Sequence, residues 1–168
     1  SYFMIKNIKK SEIIHQHVTE HEEMKVLISR LTKYQLFRKK VGTWTIKNII
    51  SHLAAWNWEC IKEIDNVLQD RPTWVLRYED EAGEYEFNRR EVEKRKSKSW
   101  QDIRQEWEDS FRALINRIKR LTIREWNHQS GNDTWSDGTA LTVCSLFNYE
   151  YHGAGHEGGH AKQIKNLI

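Results

Sequence analysis

The sequence predicts an all-α fold: a four-helix bundle with a long connection, containing a short helix, between the second and third helices. Four long stretches repeat apolar residues at helical spacing. Only 1 Pro and 8 Gly occur, which is little turn chemistry for a fold of many short strands. Hydrophobic residues make up 38% and charged residues 30%, a balance typical of helices with one solvated face. We therefore expect residues 1–168 to form a single domain.

The boundaries of the four helices follow from capping and breaking residues. The first is predicted over Ser11–Lys39, with a serine as its N-cap. The second begins after the capping hydroxyl of Thr45 and has ended by Pro72, because proline interrupts a helix. The third follows Ser99, and the fourth runs from near Thr142 to the last residues of the chain.

The connection between the second and third helices ends in a run of charges, Asn88–Lys96, which is predicted to be the short helix. Its mixed signs favour a solvated helix face over a nucleic-acid patch. The cations of such a patch would be Arg89, Arg90, Lys94, Arg95 and Lys96. The net charge of the chain, +3, is too small to indicate a nucleic-acid protein, so we expect no nucleic-acid partner.

Membrane and compartment are addressed by composition alone. No run of 18 apolar residues occurs, so we expect neither a transmembrane helix nor a membrane partner. The only cysteines are Cys60 and Cys144, which indicates a reducing compartment and hence the cytoplasm. Both thiols are expected to be small core residues rather than ligands.

Histidine is used beyond what packing requires. His152, His156 and His160 recur every four residues in the predicted fourth helix, so neighbouring members project from one face. Two imidazoles one turn apart can bind one metal ion from a rigid support. A third ligand must come from another element, and His52 is the best candidate because it lies at the edge of the apolar stripe of the second helix. The alternative is that these are ordinary core histidines.

Glycine crowds the same segment, at Gly153, Gly155, Gly158 and Gly159. Glycine destabilises a helix interior, so its repeated use needs a reason. Either another backbone approaches closely, or open space lies beside the imidazoles, or the segment is not helical there.

Two segments resemble the signatures of the DinB/YfiT-like superfamily. Trp44–Trp56 contains a Trp, a capping hydroxyl, and a His followed by an apolar residue and a second Trp, as in the superfamily's second helix. His156–Ile164 is similar to its fourth helix, HxxxH followed by Gln-Ile. Phe87–Val92 and Lys98–Trp100 are more similar to the ClbS/DfsB branch.

The resemblance implies a four-helix bundle in which three histidines hold a divalent metal. On this chain they are His52, His156 and His160. The ClbS/DfsB branch tends towards Tyr-Glu-His-Tyr-x-x-His, which Tyr149–His156 also resembles, and His152 is then the alternative ligand. The Gln-Ile that follows favours His160.

The superfamily includes thiol-dependent S-transferases, a thiol-dependent isomerase and, in the ClbS branch, a hydrolase. The resemblance therefore implies a metal-dependent enzyme of the hydrolase or thiol-dependent transferase type. Its partners would be a small-molecule substrate and a low-molecular-weight thiol. Zn²⁺ or Ni²⁺ is the expected metal, with Fe²⁺ or Mn²⁺ as alternatives. A non-catalytic bundle that binds or sequesters a small molecule is the alternative function. Because such bundles often pair through exposed helix faces, a homodimer is an expected assembly.

Roles near the metal are hypotheses for three further side chains, and no catalytic residue is assigned. Glu157 follows His156 but lies about 100° away around a helix, which makes a general-base role speculative. His21 lies on the apolar stripe of the first helix, where a core role is favoured over contact with a metal ligand. Trp56, one turn after His52, is either a pocket wall or a core residue.

Overall fold

The computed structural model describes residues 8–78 and 80–168, and in it the chain is a helical bundle with few short strands. The helices are α1 (Lys10–Ser29), α2 (Lys33–Arg38), α3 (Ile46–Leu68), α4 (Trp74–Arg77), α5 (Glu81–Lys94), α6 (Trp100–Arg120), α7 (Ile123–Trp126) and α8 (His156–Leu167). The strands are β1 (Lys40–Val41), β2 (Trp44–Thr45), β3 (Gln129–Thr134) and β4 (Ala140–Thr142). The four bundle helices are α1, α3, α6 and α8, so the predicted fold class is confirmed.

The predicted starts of the second and third bundle helices are confirmed by their caps. The hydroxyl of Thr45 accepts the backbone N–H of Asn48, whose side-chain oxygen accepts the N–H of Thr45 in return. Ser99 caps α6 by accepting the N–H of Asp102. These bonds satisfy backbone donors that a helix start leaves free. α3 and α6 pack most extensively against each other.

The first predicted helix is two helices. α1 ends at Ser29, and Thr32 then caps α2 through a reciprocal pair of hydrogen bonds with Gln35. A capping residue is extended, here with φ −74° and ψ 162°, so one helix cannot continue through it. Ser11 is not a cap either, because it lies inside α1 and the N-cap position is Lys9.

The fourth helix begins later than near Thr142. α8 starts at His156, and the preceding chain contains a 3₁₀ turn over Cys144–Leu146 and a tight turn closed by a bridge between Tyr151 and Ala154. The turn places His152 at φ 53°. His152 and His156 therefore do not share a helix face, contrary to the prediction.

Two antiparallel hairpins were not anticipated. β1 pairs with β2, Val41 opposite Trp44, and the turn between them has Gly42 at φ 59°. A glycine adopts this left-handed conformation without steric cost. β3 pairs with β4. In the connection, the short charged helix is longer than predicted, since α5 begins after the cap Asp80.

The core has two clusters of buried apolar side chains. One includes Ile64, Ile118 and Leu141, on the side of the β3–β4 hairpin. The other joins α1, α3, α6 and α8, where Trp107 and Ile164 are fully buried. This second cluster packs the first half of α3 against the middle of α8. Within the described residues, no helix is both long and apolar enough to cross a bilayer.

Candidate metal centre

The structure brings three of the predicted histidines together, one from α3 and two from α8. Nε2 of His156 lies 3.0 Å from Nε2 of His52 and 3.2 Å from Nε2 of His160. The three ring centroids are separated by 4.9, 5.0 and 4.9 Å, close to an equilateral triangle. Across residues 8–78 and 80–168, this is the one group of at least three His, Cys, Asp or Glu side chains arranged to share a cation.

The alternative ligand, His152, is not part of this group. Its side chain is exposed, and its Nε2 lies 3.2 Å from Nε2 of Gln163. The tight turn that precedes α8 turns it away from the other imidazoles. In the structure, His160 rather than His152 is therefore the histidine that lies beside His156 in this group.

Burial keeps the three imidazoles neutral. It lowers the pKa of His52 and of His156 well below the usual value, and the neighbouring imidazoles lower both further. The pKa of His160 falls to about 4, mainly through burial and despite a hydrogen bond to Gln163 that acts in the opposite direction. Neutral imidazoles offer the nitrogen lone pairs that a cation requires.

The donor geometry fits a tetrahedral cation. Zn–N bonds of about 2.0–2.1 Å place the ligand nitrogens of a tetrahedral site about 3.3 Å apart. The two Nε2 separations at His156, 3.0 and 3.2 Å, are close to that value. Three neutral imidazole nitrogens that converge on one point cannot all satisfy one another with hydrogen bonds. His52, His156 and His160 could therefore hold a divalent metal and leave further coordination positions open.

Gln163 fixes the tautomer of one candidate ligand. Its Oε1 accepts a hydrogen bond from Nδ1 of His160 at 2.8 Å, which leaves Nε2 of His160 as a lone-pair donor. The amide of Gln163 in turn donates to the hydroxyl of Tyr151 at 3.1 Å. Sequence reasoning used Gln163 only as part of a resemblance. Its spacing of three from His160 would have placed both side chains on one face.

A carboxylate from α1 holds the start of α8. The N-cap position is Gly155, which has no side chain, and Glu20 accepts the backbone N–H of Gly155 at 2.9 Å and that of Gly158 at 3.0 Å. A negative charge at a helix N-terminus is also favoured by the helix dipole. No local sequence signal pointed to Glu20, because it is more than 130 residues away from the helix it caps.

Close approach, one of the three predicted alternatives, explains Gly155, Gly158 and Gly159, whereas Gly153 adopts the left-handed conformation, with φ 74°, in the turn before α8. A Cβ on Gly155 or Gly158 would lie 2.6 Å from the Glu20 carboxylate group. A Cβ on Gly159 would overlap the ring and the backbone carbonyl of Tyr151. The glycines thus let α1 and the turn before α8 pack directly on the helix that carries His156 and His160.

Glu157 does not face the histidine triad as a free base. Its Oε1 accepts a hydrogen bond from Nδ1 of His21 at 3.0 Å and from the indole N–H of Trp107 at 3.2 Å. All three side chains are buried, and His21 stacks on Phe111 with centroids 3.7 Å apart. Glu157 is thus held by His21 and Trp107, and its general-base role stays a hypothesis, while His21 is a core histidine as expected.

Aromatic rings surround the imidazoles. The ring of Trp44 lies 4.8 Å from that of His52, and Tyr151 lies 4.8 Å from His160. Trp56 is 6.5 Å from His52 and belongs to an aromatic cluster. The other members of that cluster are Trp74, Tyr78 and Phe87. Trp56 thus packs in a cluster, as the core alternative predicted, and its role as a pocket wall stays a prediction.

The two cysteines are free thiols outside the triad. Burial, and the nearby carboxylates of Glu59 and Glu63, raise the pKa of Cys60. Burial also raises the pKa of Cys144. Both thiols stay protonated near neutral pH, which agrees with a packing role rather than a nucleophilic one.

The charged run in the connection is an ion-paired helix face. Arg89 pairs with Glu86, Lys94 with Glu91 and Lys96 with Glu93, each one turn apart. Arg95 and Lys98 both pair with Glu106 of α6. These residues form a solvated helix face, as the mixed signs of their charges predicted.

Comparison with known proteins identifies the family. The sequence model of the DinB superfamily matches residues 16–164, and the chain therefore belongs to the DinB superfamily. Members of this superfamily bind metals, and the histidine triad is a group that could hold one. No curated protein sequence matches the chain.

Three solved structures share the fold at low sequence identity. The colibactin self-resistance protein ClbS, crystallised in complex with a double-stranded DNA, matches with a TM-score of 0.71 and 11% identity, over 94% of each chain. An uncharacterised protein from Escherichia coli UTI89 matches with a TM-score of 0.71 and 10% identity, over 97% of this chain and 94% of that one. A mycothiol-dependent maleylpyruvate isomerase matches with a TM-score of 0.63 and 11% identity, over 94% of this chain but 58% of its own.

The ClbS structure corrects one expectation. Nucleic acid was excluded as a partner because the net charge is only +3. A protein of the same fold is nevertheless found in complex with double-stranded DNA, so the exclusion was wrong. Net charge is a sum over the whole surface, and it carries no information on how the charges are distributed.

Proposed function

We propose that this chain is a metal-dependent enzyme of the hydrolase or thiol-dependent transferase type that acts on a small molecule. The observation that carries the proposal is the grouping of His52, His156 and His160, in which Nε2 of His156 lies 3.0 Å from Nε2 of His52 and 3.2 Å from Nε2 of His160. Zn²⁺ or Ni²⁺ is the proposed metal, because imidazole ligands favour the later divalent ions. The mycothiol-dependent enzyme among the proteins of this fold supports a thiol as a reaction partner.

A divalent cation with open positions lowers the pKa of a water or thiol bound to it, which supplies a nucleophile near neutral pH. The residues of the chain would hold the metal and keep its histidine ligands neutral and oriented. Their buried imidazoles stay neutral, Gln163 keeps the proton of His160 on Nδ1, and Glu20 fixes the helix on which two of the three histidines stand. The rings of Trp44 and Tyr151 pack against two of the three imidazoles.

The first experiment measures metal content. Wild type, His156→Ala and His152→Ala are purified without added metal and analysed for transition metals by mass spectrometry. We expect about one metal per chain in wild type and in His152→Ala, and none in His156→Ala. Wild type without metal that also fails to bind added Zn²⁺ or Ni²⁺, or full metal content in His156→Ala, would disprove the ligand assignment.

A second experiment separates an enzyme from a sequestering protein. The protein is loaded with Co²⁺, and glutathione or cysteine is added while the absorption spectrum is recorded. An open position that takes a thiol produces a sulfur-to-cobalt charge-transfer band, whereas a closed site gives no change. His156→Ala serves as the control, because the band must depend on the triad.

A second candidate function is binding to double-stranded DNA. The observation that favours it is the ClbS–DNA complex, since the two chains share a fold over 94% of each. Fluorescence anisotropy of a labelled duplex tests it, with salt varied between about 0.05 and about 0.2 M because phosphate contacts weaken steeply over this range. An absence of binding at the lowest salt would rule this function out.

A further inference from the structure

One part of the chain is strongly basic although the whole chain is nearly neutral. Residues 24–58 contain seven Lys and Arg and no Asp or Glu. An even spread of the 24 acidic residues over 168 positions would place five in a stretch of this length. The positive charge is densest between Arg30 and Lys40, which carry five of the seven cations on and beside α2.

These cations face solvent. Leu36 is 5% exposed and marks the inner face of α2. At about 100° per residue, Tyr34 and Arg38 lie on the opposite side of the helix from Leu36, and Lys33 and Phe37 lie on its flanks; all four are exposed. Arg30, Lys39 and Lys40 are exposed at the two ends of α2. We call Arg30, Lys33, Arg38, Lys39 and Lys40 the basic α2 surface.

The charge of this surface is not neutralised within the chain. Across the described residues, none of the five cations lies within ion-pair distance of a carboxylate. The other two cations of the stretch are occupied: Lys25 pairs with Glu22, and Lys47 donates to the backbone carbonyl of Lys98. Arg89 and Lys94 of α5, and Lys96 just after it, also differ from the basic α2 surface, since each has a carboxylate one turn away.

We propose that the basic α2 surface binds the phosphate backbone of double-stranded DNA. This inference rests on the second candidate function above and names the surface that would perform it. Duplex DNA carries one negative charge per about 1.7 Å of its axis, so an element about 9 Å long, such as α2, faces several phosphates. Exposed, unpaired Lys and Arg are the side chains that release counterions from such a backbone.

An anionic membrane surface is less well matched. A helix that lies in a membrane interface presents a large apolar face to the lipid. α2 has six residues, and its one buried apolar side chain, Leu36, points into the protein. The apolar part of its outer face consists of Phe37 and the ring of Tyr34. Cations dominate the outer face, which favours a polyanion that is bound without insertion.

The basic α2 surface is connected to the histidine triad. The β1–β2 hairpin follows α2, and its second strand begins with Trp44, whose ring lies 4.8 Å from that of His52. The terminal strand of the hairpin therefore leads from the cations to the edge of the triad.

The test compares two triple variants with the same change in charge. One is Lys33→Gln/Arg38→Gln/Lys39→Gln, and the control is Arg89→Gln/Lys94→Gln/Lys96→Gln, whose cations are ion-paired. With a labelled duplex at about 0.1 M salt, we expect the α2 variant to bind about 100-fold more weakly and its log–log salt slope to fall by about 3. The control should stay within about threefold of wild type. Circular dichroism and metal content verify that both variants are folded.

The possible outcomes distinguish a wrong assignment of the binding surface from an absence of DNA binding. Loss of duplex binding in the α2 variant with retention in the control supports the proposal. Equal binding by wild type and the α2 variant, or loss in the control instead, overturns the surface and leaves DNA binding intact. Wild type that does not bind the duplex overturns both, whether or not it binds vesicles that contain phosphatidylserine.

Discussion

Nδ1 of His160 donates a hydrogen bond of 2.8 Å to Oε1 of Gln163, one turn further along α8. The bond determines which ring nitrogen carries the proton, and it leaves Nε2 directed at the other two histidines. Such contacts behind a ligand set both the orientation and the basicity of the imidazole. The His-x-x-Gln spacing is thus part of the candidate metal centre and not only of the helix surface.

Replacing Gln163 by Leu should weaken metal binding about 10- to 100-fold without unfolding the protein, because His160 loses the acceptor that fixes its tautomer. Competition with a chelator of known affinity measures the effect. Gln163→Glu is the matched variant, since it keeps an oxygen at the same place, and it should retain most of the affinity. Equal affinity in wild type and Gln163→Leu would show that the hydrogen bond plays no part in binding.

The prediction of the fold and of the triad from sequence succeeded where local rules decide. Thr45 and Ser99 are caps whose hydrogen bonds lie within three residues, and both helix starts were correct. The pairing of His156 with His160 likewise requires only one turn of helix. His52 was chosen because it borders the apolar stripe of its helix, and a stripe faces the core whatever the rest of the chain does.

Two features of the site could not be predicted from the sequence, because they depend on contacts between distant parts of the chain. The start of α8 was placed too early because its cap comes from Glu20, which no local pattern connects to Gly155 and Gly158. The sequence placed Glu157 about 100° away from His156 but could not show its hydrogen bonds with His21 and Trp107. The basic surface was missed for a different reason: the acid-free stretch of residues 24–58 is visible in the sequence, but a net charge averaged over the whole chain conceals it.

Glu20→Ala should destabilise the protein by about 2 kcal/mol, because two backbone N–H groups at the start of α8 lose a charged acceptor. Urea unfolding of the metal-free protein measures the difference. Glu22→Ala is the control on the same helix: its carboxylate is 62% exposed and pairs with Lys25 at 3.7 Å, so its loss should cost less than about 0.5 kcal/mol. If the two variants are equally stable, Glu20 is not the cap of α8.

Gly159→Ala should destabilise the protein by about 1–3 kcal/mol, since the added methyl group overlaps the backbone carbonyl of Tyr151 and neither element can move freely. Metal affinity should fall as well, because the displaced helix carries His156 and His160. Gly131→Ala is the control, where the methyl group would contact the side-chain end of Asp70 at 3.1 Å. Thermal unfolding and chelator competition are measured on both variants. If Gly159→Ala has the stability and the metal affinity of wild type, the close packing of this turn on α8 is contradicted.

The stability of the metal-free protein should fall as the pH is lowered from about 6.5 to about 4. The pKa of His160 is about 4 in the folded protein and about 6.5 in the unfolded chain, so between these values the unfolded state binds more protons. One such group contributes about 3 kcal/mol across this window, and the lowered pKa values of His52 and His156 act in the same direction. Urea unfolding at several pH values, after treatment with a chelator, measures the slope. His160→Gln should flatten it, whereas His15→Gln, which alters an exposed side chain of α1, should not. A slope that is the same in wild type and His160→Gln would mean that His160 does not lose its proton on folding.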